Sequence, residues 1–296
     1  MRVNGIRAGF IARVALTALI LVLVGGMTGA CARDTTPSGP PEPAPEPTVK
    51  PKPEESEATT EVTVYLVRGE TLGVAVREVR ETVAIARAAL EALLAGPTDL
   101  DGEAGLGTVI PEGTRLNDVS VTDGVATVDL SPEFESGGGS LSMQLRVAQV
   151  VFTLTRFPTI ESVAFMIDGQ PVEAIGGEGI VVSPPVTRAA FADNTLPAIL
   201  VETPAPWQEV SSPLRLTGMS NTFEATLNYE VVDPAGVVVA EGFGTATAGT
   251  GTWGTFDVTV PFEIAREGVG ALIVFEQSAK DGSRINLVEI PLNMTE

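Results

Sequence analysis

The chain has a single cysteine, Cys31, and it stands at the end of an apolar run near the N-terminus. No disulfide can therefore staple the 265 residues that follow, and no thiolate cluster can hold a metal. Whatever folds must be held by an apolar core alone. Hydrophobic residues make up 44% of the chain, which is enough for such a core in two ordinary domains. Val, Ala, Leu, Gly and Thr dominate and aromatics are scarce, a mixture that favours β-rich or mixed structure.

The charge pattern narrows the function further. With 38 acidic and 18 basic residues, the formal charge of −20 repels nucleic acid and anionic membrane surfaces alike. Histidine is absent, which removes the commonest general base and metal ligand near neutral pH. We assign no catalytic, cofactor-binding or metal-binding residue on these grounds.

The first thirty residues read as an address. Arg2, Arg7 and Arg13 precede an uninterrupted apolar or small run, Val14 to Val24, and then the small-residue stretch Gly25 to Ala30. A basic start, a short apolar middle and a small-residue end make an export signal spanning residues 1–30. Gly29, Ala30 and Cys31 resemble a bacterial lipobox, although Thr28 stands where leucine is usual. The resemblance implies cleavage between Ala30 and Cys31 and attachment of a diacylglycerol to Cys31. Two acyl chains give lasting anchorage, because each buried methylene contributes about 0.8 kcal/mol. The expected location is the outer face of the bacterial cytoplasmic membrane. Residues 31–60 are proline-rich, acidic and poor in large apolar groups, so they read as an extended tether.

The region 61–190 alternates strand and helix signals. Glu61 to Val67 and Val74 to Val79 read as strands around a turn marked by Gly69 and Gly73. Thr82 to Ala95 takes a helical period, with Val83, Ala86, Leu90, Leu93 and Leu94 on one face and Gly96-Pro97 as its stop. Arg87 lies four residues before Glu91. Asp123-Gly124 joins Leu116–Val121 to Val125–Leu130 as a hairpin. Ser140 caps a helix running to about Arg156, with Leu141, Leu145, Ala148 and Phe152 on its apolar face. Val163 to Ile167 is a last strand before Asp168-Gly169. This order predicts an α+β sandwich with two helices on one sheet face.

The region 196–296 carries seven β-rich runs: 199–202, 214–218, 225–232, 237–241, 254–260, 271–277 and 285–290. No helical period interrupts them. Seven short strands in about a hundred residues predict an all-β immunoglobulin-like sandwich. Trp253, Phe256, Phe275 and the valines are expected to fill its core.

Several blocks resemble known families. Val64 to Val67, Ala89 to Pro97, Ile110 to Thr114, Ala126 to Ser131 and Phe165 to Gly169 resemble, in that order, the GerMN domain of bacterial sporulation and spore-germination lipoproteins. Pro204 to Pro213, Phe223-Glu224, Trp253 to Phe256, Phe275 to Ser278 and Asp281-Gly282 resemble the immunoglobulin-like spore germination domain, the second Gmad type, that accompanies it. The resemblance implies a fold similar to ring-building modules of secretion and sporulation channels, and carries no catalytic residues.

Four local constellations are candidate sites. Asp99, Asp101 and Glu103 around Gly102 offer too few ligands for calcium and read as a solvated acidic turn. Asp129, Glu133 and Glu135 contain the makings of a glycosidase-like pair, but a turn-stabilising role is expected. Gly137 to Ser140 lacks the lysine of a phosphate loop and reads as a hinge and cap. Trp207 among prolines caps the end of the sandwich, or stacks on a glycan or peptide. The expected function is a non-catalytic envelope lipoprotein that binds or scaffolds protein partners, with self-association into a homo-oligomer left open. The alternatives are a cell-wall carbohydrate-binding protein and an acid-pair cell-wall hydrolase.

Overall fold

The computed structural model describes residues 58–177 and 179–296. The signal segment and nearly all of the tether, with Ala30 and Cys31, lie outside the described residues. The described residues form one compact unit.

The first domain opens with a ten-residue hairpin, β1 (Thr59–Arg68) and β2 (Thr71–Arg80). It is followed by α1 (Ile85–Leu94), α2 (Asp99–Glu103), β3 (Leu116–Thr122), β4 (Val125–Leu130), α3 (Ser140–Leu154) and β5 (Ser162–Ile167). Three two-residue strands follow, β6 (Gln170–Pro171), β7 (Ala174–Ile175) and β8 (Ile180–Val181), and then the one-turn α4 (Ala192–Thr195). Strands β3-β4-β5-β6 form one sheet, in which β4 and β5 run parallel. Helices α1 and α3 pack against each other, against this sheet and against the β1–β2 hairpin. The α+β reading therefore holds. The Asp123-Gly124 and Asp168-Gly169 pairs are two-residue turns with positive φ at both positions, the backbone that a tight hairpin requires.

Several local expectations change. Helix α1 begins at Ile85, because the Thr82 hydroxyl accepts the Ala84 N–H and forms a turn just ahead of it. Val83 consequently lies outside the helix and is fully exposed. Gly73 is not a turn residue but lies inside β2, where a Cβ would come within 2.4 Å of Leu106. The N-cap of α3 is Gly139, with Ser140 its first helical residue, and Leu141 projects outward.

Helix α3 is buried nearly all round. Its apolar side, with Leu145, Ala148 and Phe152, enters the core as expected. A second side carries Arg146, Gln149 and Thr153, spaced three and four residues apart and all buried. These side chains satisfy backbone that has no strand partner. Thr153 Oγ1 accepts the Tyr65 N–H at 3.0 Å, and Gln149 Nε2 donates to the Tyr65 carbonyl at 3.0 Å. Gln149 Oε1 accepts the Val109 N–H at 3.2 Å. The helix thus stands in for a neighbouring strand along β1. This explains why four consecutive residues, Val64 to Val67, are buried on alternating faces.

The second domain contains β9 (Ile199–Thr203), β10 (Glu209–Val210), β11 (Leu214–Ser220), β12 (Thr226–Val232), β13 (Val238–Thr245), β14 (Gly254–Val260), β15 (Gly268–Gln277) and β16 (Arg284–Met294). All seven expected strands are present, joined by the short β10. They form two sheets, β10-β16-β15-β12-β13 and β14-β11-β9. Leu216, Leu227, Val231, Phe256, Leu272, Val274 and Leu292 fill the space between them. Trp253 does not join that core. It is half-buried against the core of the first domain.

Gln149→Leu leaves the Tyr65 carbonyl and the Val109 amide without their partners in a buried setting. The expected loss is about 2 kcal/mol or more of unfolding free energy in urea titration. A loss under about 0.5 kcal/mol, the scale of a neutral surface change, would remove the helix from this role.

Candidate functional site

The constellations singled out in the sequence are built for structure. Asp101 is not on a solvated turn. It is buried at the third position of α2, where it forms a capping box with Thr98 and an ion pair with Arg77. Its Oδ2 accepts from the Thr98 N–H at 2.6 Å and the Thr98 hydroxyl at 2.8 Å, so little of the carboxylate is left for a cation. Among the described residues no acidic, histidine or cysteine cluster is arranged to hold a metal. Asp129 accepts the Gly169 N–H at 3.0 and 3.1 Å, and Glu135 accepts the Gly176 N–H at 3.1 Å. Glu133 lies 3.5 Å from the Arg115 guanidinium. Each of the three carboxylates is tied to a different segment of chain, as turn-stabilising groups would be.

The glycine stretch before α3 acts through its carbonyls. Gly137 and Gly138 take positive φ, and the Ser136 and Gly137 carbonyls accept from Arg146 at 3.1 and 3.2 Å. With the Phe134 and Val109 carbonyls they surround a buried guanidinium that has no carboxylate among these partners. The loop clamps a cation, the opposite of a phosphate cradle.

The groups that sequence reasoning missed lie where the two domains meet. The Tyr65 hydroxyl of β1 donates to Glu202 of β9. Arg188, in the connecting segment, donates to Glu202 at 2.7 Å, to the Tyr65 oxygen at 3.0 Å, to Thr155 at 2.9 Å and to the Phe152 carbonyl at 3.1 Å. Its guanidinium also lies over the Phe152 and Tyr65 rings, 4.9 and 5.2 Å from their centroids. Burial works against the Glu202 charge, but the Arg188 cation and the hydrogen bonds from Tyr65 and Arg188 outweigh it. The carboxyl is held below its ordinary 4.5. Burial, followed by the Glu202 charge, pushes the Tyr65 phenol upward, so it stays a donor.

Two tryptophans fasten the same junction. Trp207, with φ of 65°, donates its N–H to Pro291 at 2.7 Å and its indole to the Leu100 carbonyl at 2.9 Å. The expected sandwich cap is therefore also a bolt to the first domain. Trp253 donates its indole to Asp193 at 2.8 Å. Leu200 and Ala205 of the second domain are buried in the core of the first.

One edge of the second domain is left open. Strand β13 borders its sheet with no partner on its outer side among the described residues. Phe243 on this strand is 68% exposed, and Val237, Val238 and Phe223 are exposed beside it or across the nearby loop. Phe223, Asn228, Phe243 and Glu276 share a shallow cavity of about 490 Å³. Nearby, Arg284 lies 4.3 Å over the Phe275 ring and is paired with Glu230. An edge strand with exposed apolar side chains is a surface on which another chain can pair.

The fold is a GerMN-like α+β region followed by an immunoglobulin-like β domain. Residues 52–173 match the family described as sporulation and spore germination, and residues 198–283 match the immunoglobulin-like domain of bacterial spore germination. The chain thus carries a domain of the sporulation and spore germination family, followed by an immunoglobulin-like spore germination domain. The first GerMN domain of the sporulation protein GerM from Bacillus subtilis is 25% identical, with 44% of this chain and 99% of that one covered and a TM-score of 0.37. The tandem GerMN domains of the same protein are 18% identical over 71% of this chain and 63% of that one, at a TM-score of 0.40. A candidate lipoprotein from Clostridium perfringens is 19% identical over 47% and 93%, at 0.34. Comparison with curated proteins finds no match. No helix among the described residues is long and apolar enough to cross a membrane.

The junction carries a pH signature. A carboxyl held below its ordinary value stabilises the fold fully above that value, and the contribution disappears as pH falls through the lowered one. Urea unfolding at neutral and at acid pH should therefore show a smaller acid-induced loss in Glu202→Gln than in the parent chain, from a lower neutral starting point. Equal losses in the two proteins would show that Glu202 does not carry this dependence.

Proposed function

We propose that the protein is a non-catalytic cell-envelope lipoprotein that presents a binding surface to protein partners during spore formation or germination. In this reading Cys31 carries the lipid at the outer face of the cytoplasmic membrane. The residues after it act as a spacer, and the two fastened domains are displayed as one body. The observation that carries the reading is the contrast within the second domain. Its inner end is locked to the first domain by Tyr65, Arg188, Glu202 and the two tryptophans, while β13 leaves Phe243 and Val238 in solvent.

The surface chemistry describes the partner. Glu241 on β13 is exposed, and Glu224 lies beside the Phe223–Phe243 cavity in a chain with a formal charge of −20. A complementary partner offers an extended segment with apolar side chains flanked by lysine or arginine, adding a strand to β13. An acid-pair hydrolase is disfavoured, because Asp129, Glu133 and Glu135 are each tied to separate segments.

A photo-crosslinking residue placed at Phe243 in producing cells should capture a defined protein. The same residue at Leu141, exposed on the first domain, should not, and Phe243→Asp should abolish copurification of the captured chain. Equal capture from both positions, or none from Phe243, would defeat the assignment of this edge. The anchor is tested separately with a palmitate analogue: label on the parent chain and its loss in Cys31→Ala are expected, and label that persists in the variant would place attachment elsewhere.

A further inference from the structure

The Phe223–Phe243 cavity beside β13 has a neighbour on the same sheet face that shows what such a site holds. Antiparallel register sets Phe275 of β15, Asn228 of β12 and Phe243 of β13 side by side, with their side chains on one face. At the Phe275 end of this row the chain seats a cation of its own. The Arg284 guanidinium lies 4.3 Å over the Phe275 ring and pairs with Glu230. At the Phe243 end aromatic rings and carboxylates recur, but no lysine or arginine lines the cavity. Its charged members are Glu224 and Glu276. Glu276 is buried, and the donors to its oxygens are neutral: the Phe223 N–H at 2.9 Å and the Asn286 amide at 2.8 Å. The first of these bonds also fixes the loop that carries Phe223, and the Thr250 hydroxyl accepts the Glu224 N–H at 3.0 Å. The walls are therefore in place before anything enters.

We infer that this cavity receives an arginine side chain of the partner segment, its guanidinium against the Phe223 and Phe243 rings and paired with Glu224. Any side chain that enters displaces water from both carboxylates, one of which is already buried. A cation offsets that cost, whereas an apolar side chain leaves the charges desolvated and unmatched. Of the two cationic side chains, arginine is the more weakly hydrated, and its flat face suits a ring, as Arg284 on Phe275 shows. Lys280 stands on the adjoining turn, whose Ser278, Ala279 and Gly282 line the cavity, but does not line it itself. An arginine pocket here rests on the reading of β13 as a partner surface and names one residue that the partner must bring.

N-acetyl-arginine N-methylamide, titrated into the isotope-labelled full chain, tests the pocket by NMR. Saturable shifts should appear at the amides of Phe223, Thr226, Phe243 and Ala279, with a dissociation constant on the order of millimolar. The citrulline counterpart, which keeps the shape and loses the charge, should bind at least about fivefold more weakly, and the lysine counterpart should also bind more weakly. Phe243→Ala and Glu224→Gln should each weaken arginine binding by about two- to fivefold, the scale of one exposed cation–ring contact or ion pair. Lys280→Ala should leave it unchanged. No saturable shift at these amides, citrulline or lysine binding as well as arginine, or full affinity in either pocket variant would overturn the inference. So would a tightening of about tenfold in Lys280→Ala, which would make the chain's own lysine the occupant. Capture of a protein from Phe243 in cells, with no preference for arginine in the titration, removes the arginine pocket alone. Absence of capture removes the surface and the pocket together.

Discussion

The arrangement of the molecule depends on one half-buried guanidinium, Arg188, which sits where three parts of the chain converge. It joins the hairpin through Tyr65, the end of the long helix through Phe152 and Thr155, and the first strand of the second domain through Glu202. Removing two charges from water costs several kcal/mol per ion, and their attraction offsets that cost only when the remaining donors are also satisfied. Here the guanidinium has oxygen partners on Nε and on both terminal nitrogens, with aromatic faces against its plane. A well-packed apolar cluster could hold the two domains about as strongly. It would not fix their angle as tightly, because apolar contacts are non-directional whereas this set of bonds is met in only one register. The same bonds hold the free edge of β13 at one orientation to the first domain.

The elements most readable from the sequence are those set by local chemistry. Asp123-Gly124 and Asp168-Gly169 make tight turns because a two-residue hairpin needs positive φ at both positions, and these residue types tolerate it. The strand Val125–Leu130 and the strand Gly254–Val260 fall at the expected residues, because alternating apolar side chains mark a half-buried sheet directly. The junction was not readable. Tyr65 lies 123 residues from Arg188 and 137 from Glu202, and nothing in the neighbourhood of any of them marks a partner. Trp253 packs against the first domain's core and not the sandwich its sequence position suggests, since apolar character says that a side chain is buried and not against what.

Helix α3 lies between these cases. Its apolar stripe was readable, and its second stripe of Arg146, Gln149 and Thr153 was equally visible as a period, but polar residues on a helix ordinarily face water. The stripe is instead turned inward, because β1 has no strand on that side and its backbone groups must be satisfied by something. Asp101 repeats the lesson on a smaller scale. A run of acids around a glycine looks solvated, yet the Thr98–Asp101 spacing is that of a capping box, and Arg77 on β2 brings the charge that lets the carboxylate be buried.

The chain has no histidine and few lysines, so buried positive charge falls to arginine, and three arginines show three ways of accommodating it. Arg146 is surrounded by backbone carbonyls, which neutralise it by dipoles alone and draw the loop before α3 around it. Arg188 is matched by a full carboxylate and a phenol, which lets it reach across a domain boundary. Arg68 has neither, although the same acidic chain supplies carboxylates freely elsewhere. Two of the three therefore show how thoroughly this fold compensates a buried cation when the cation serves structure. Arg68 shows the third way: it is only half-buried, so its charge needs no carboxylate to match it.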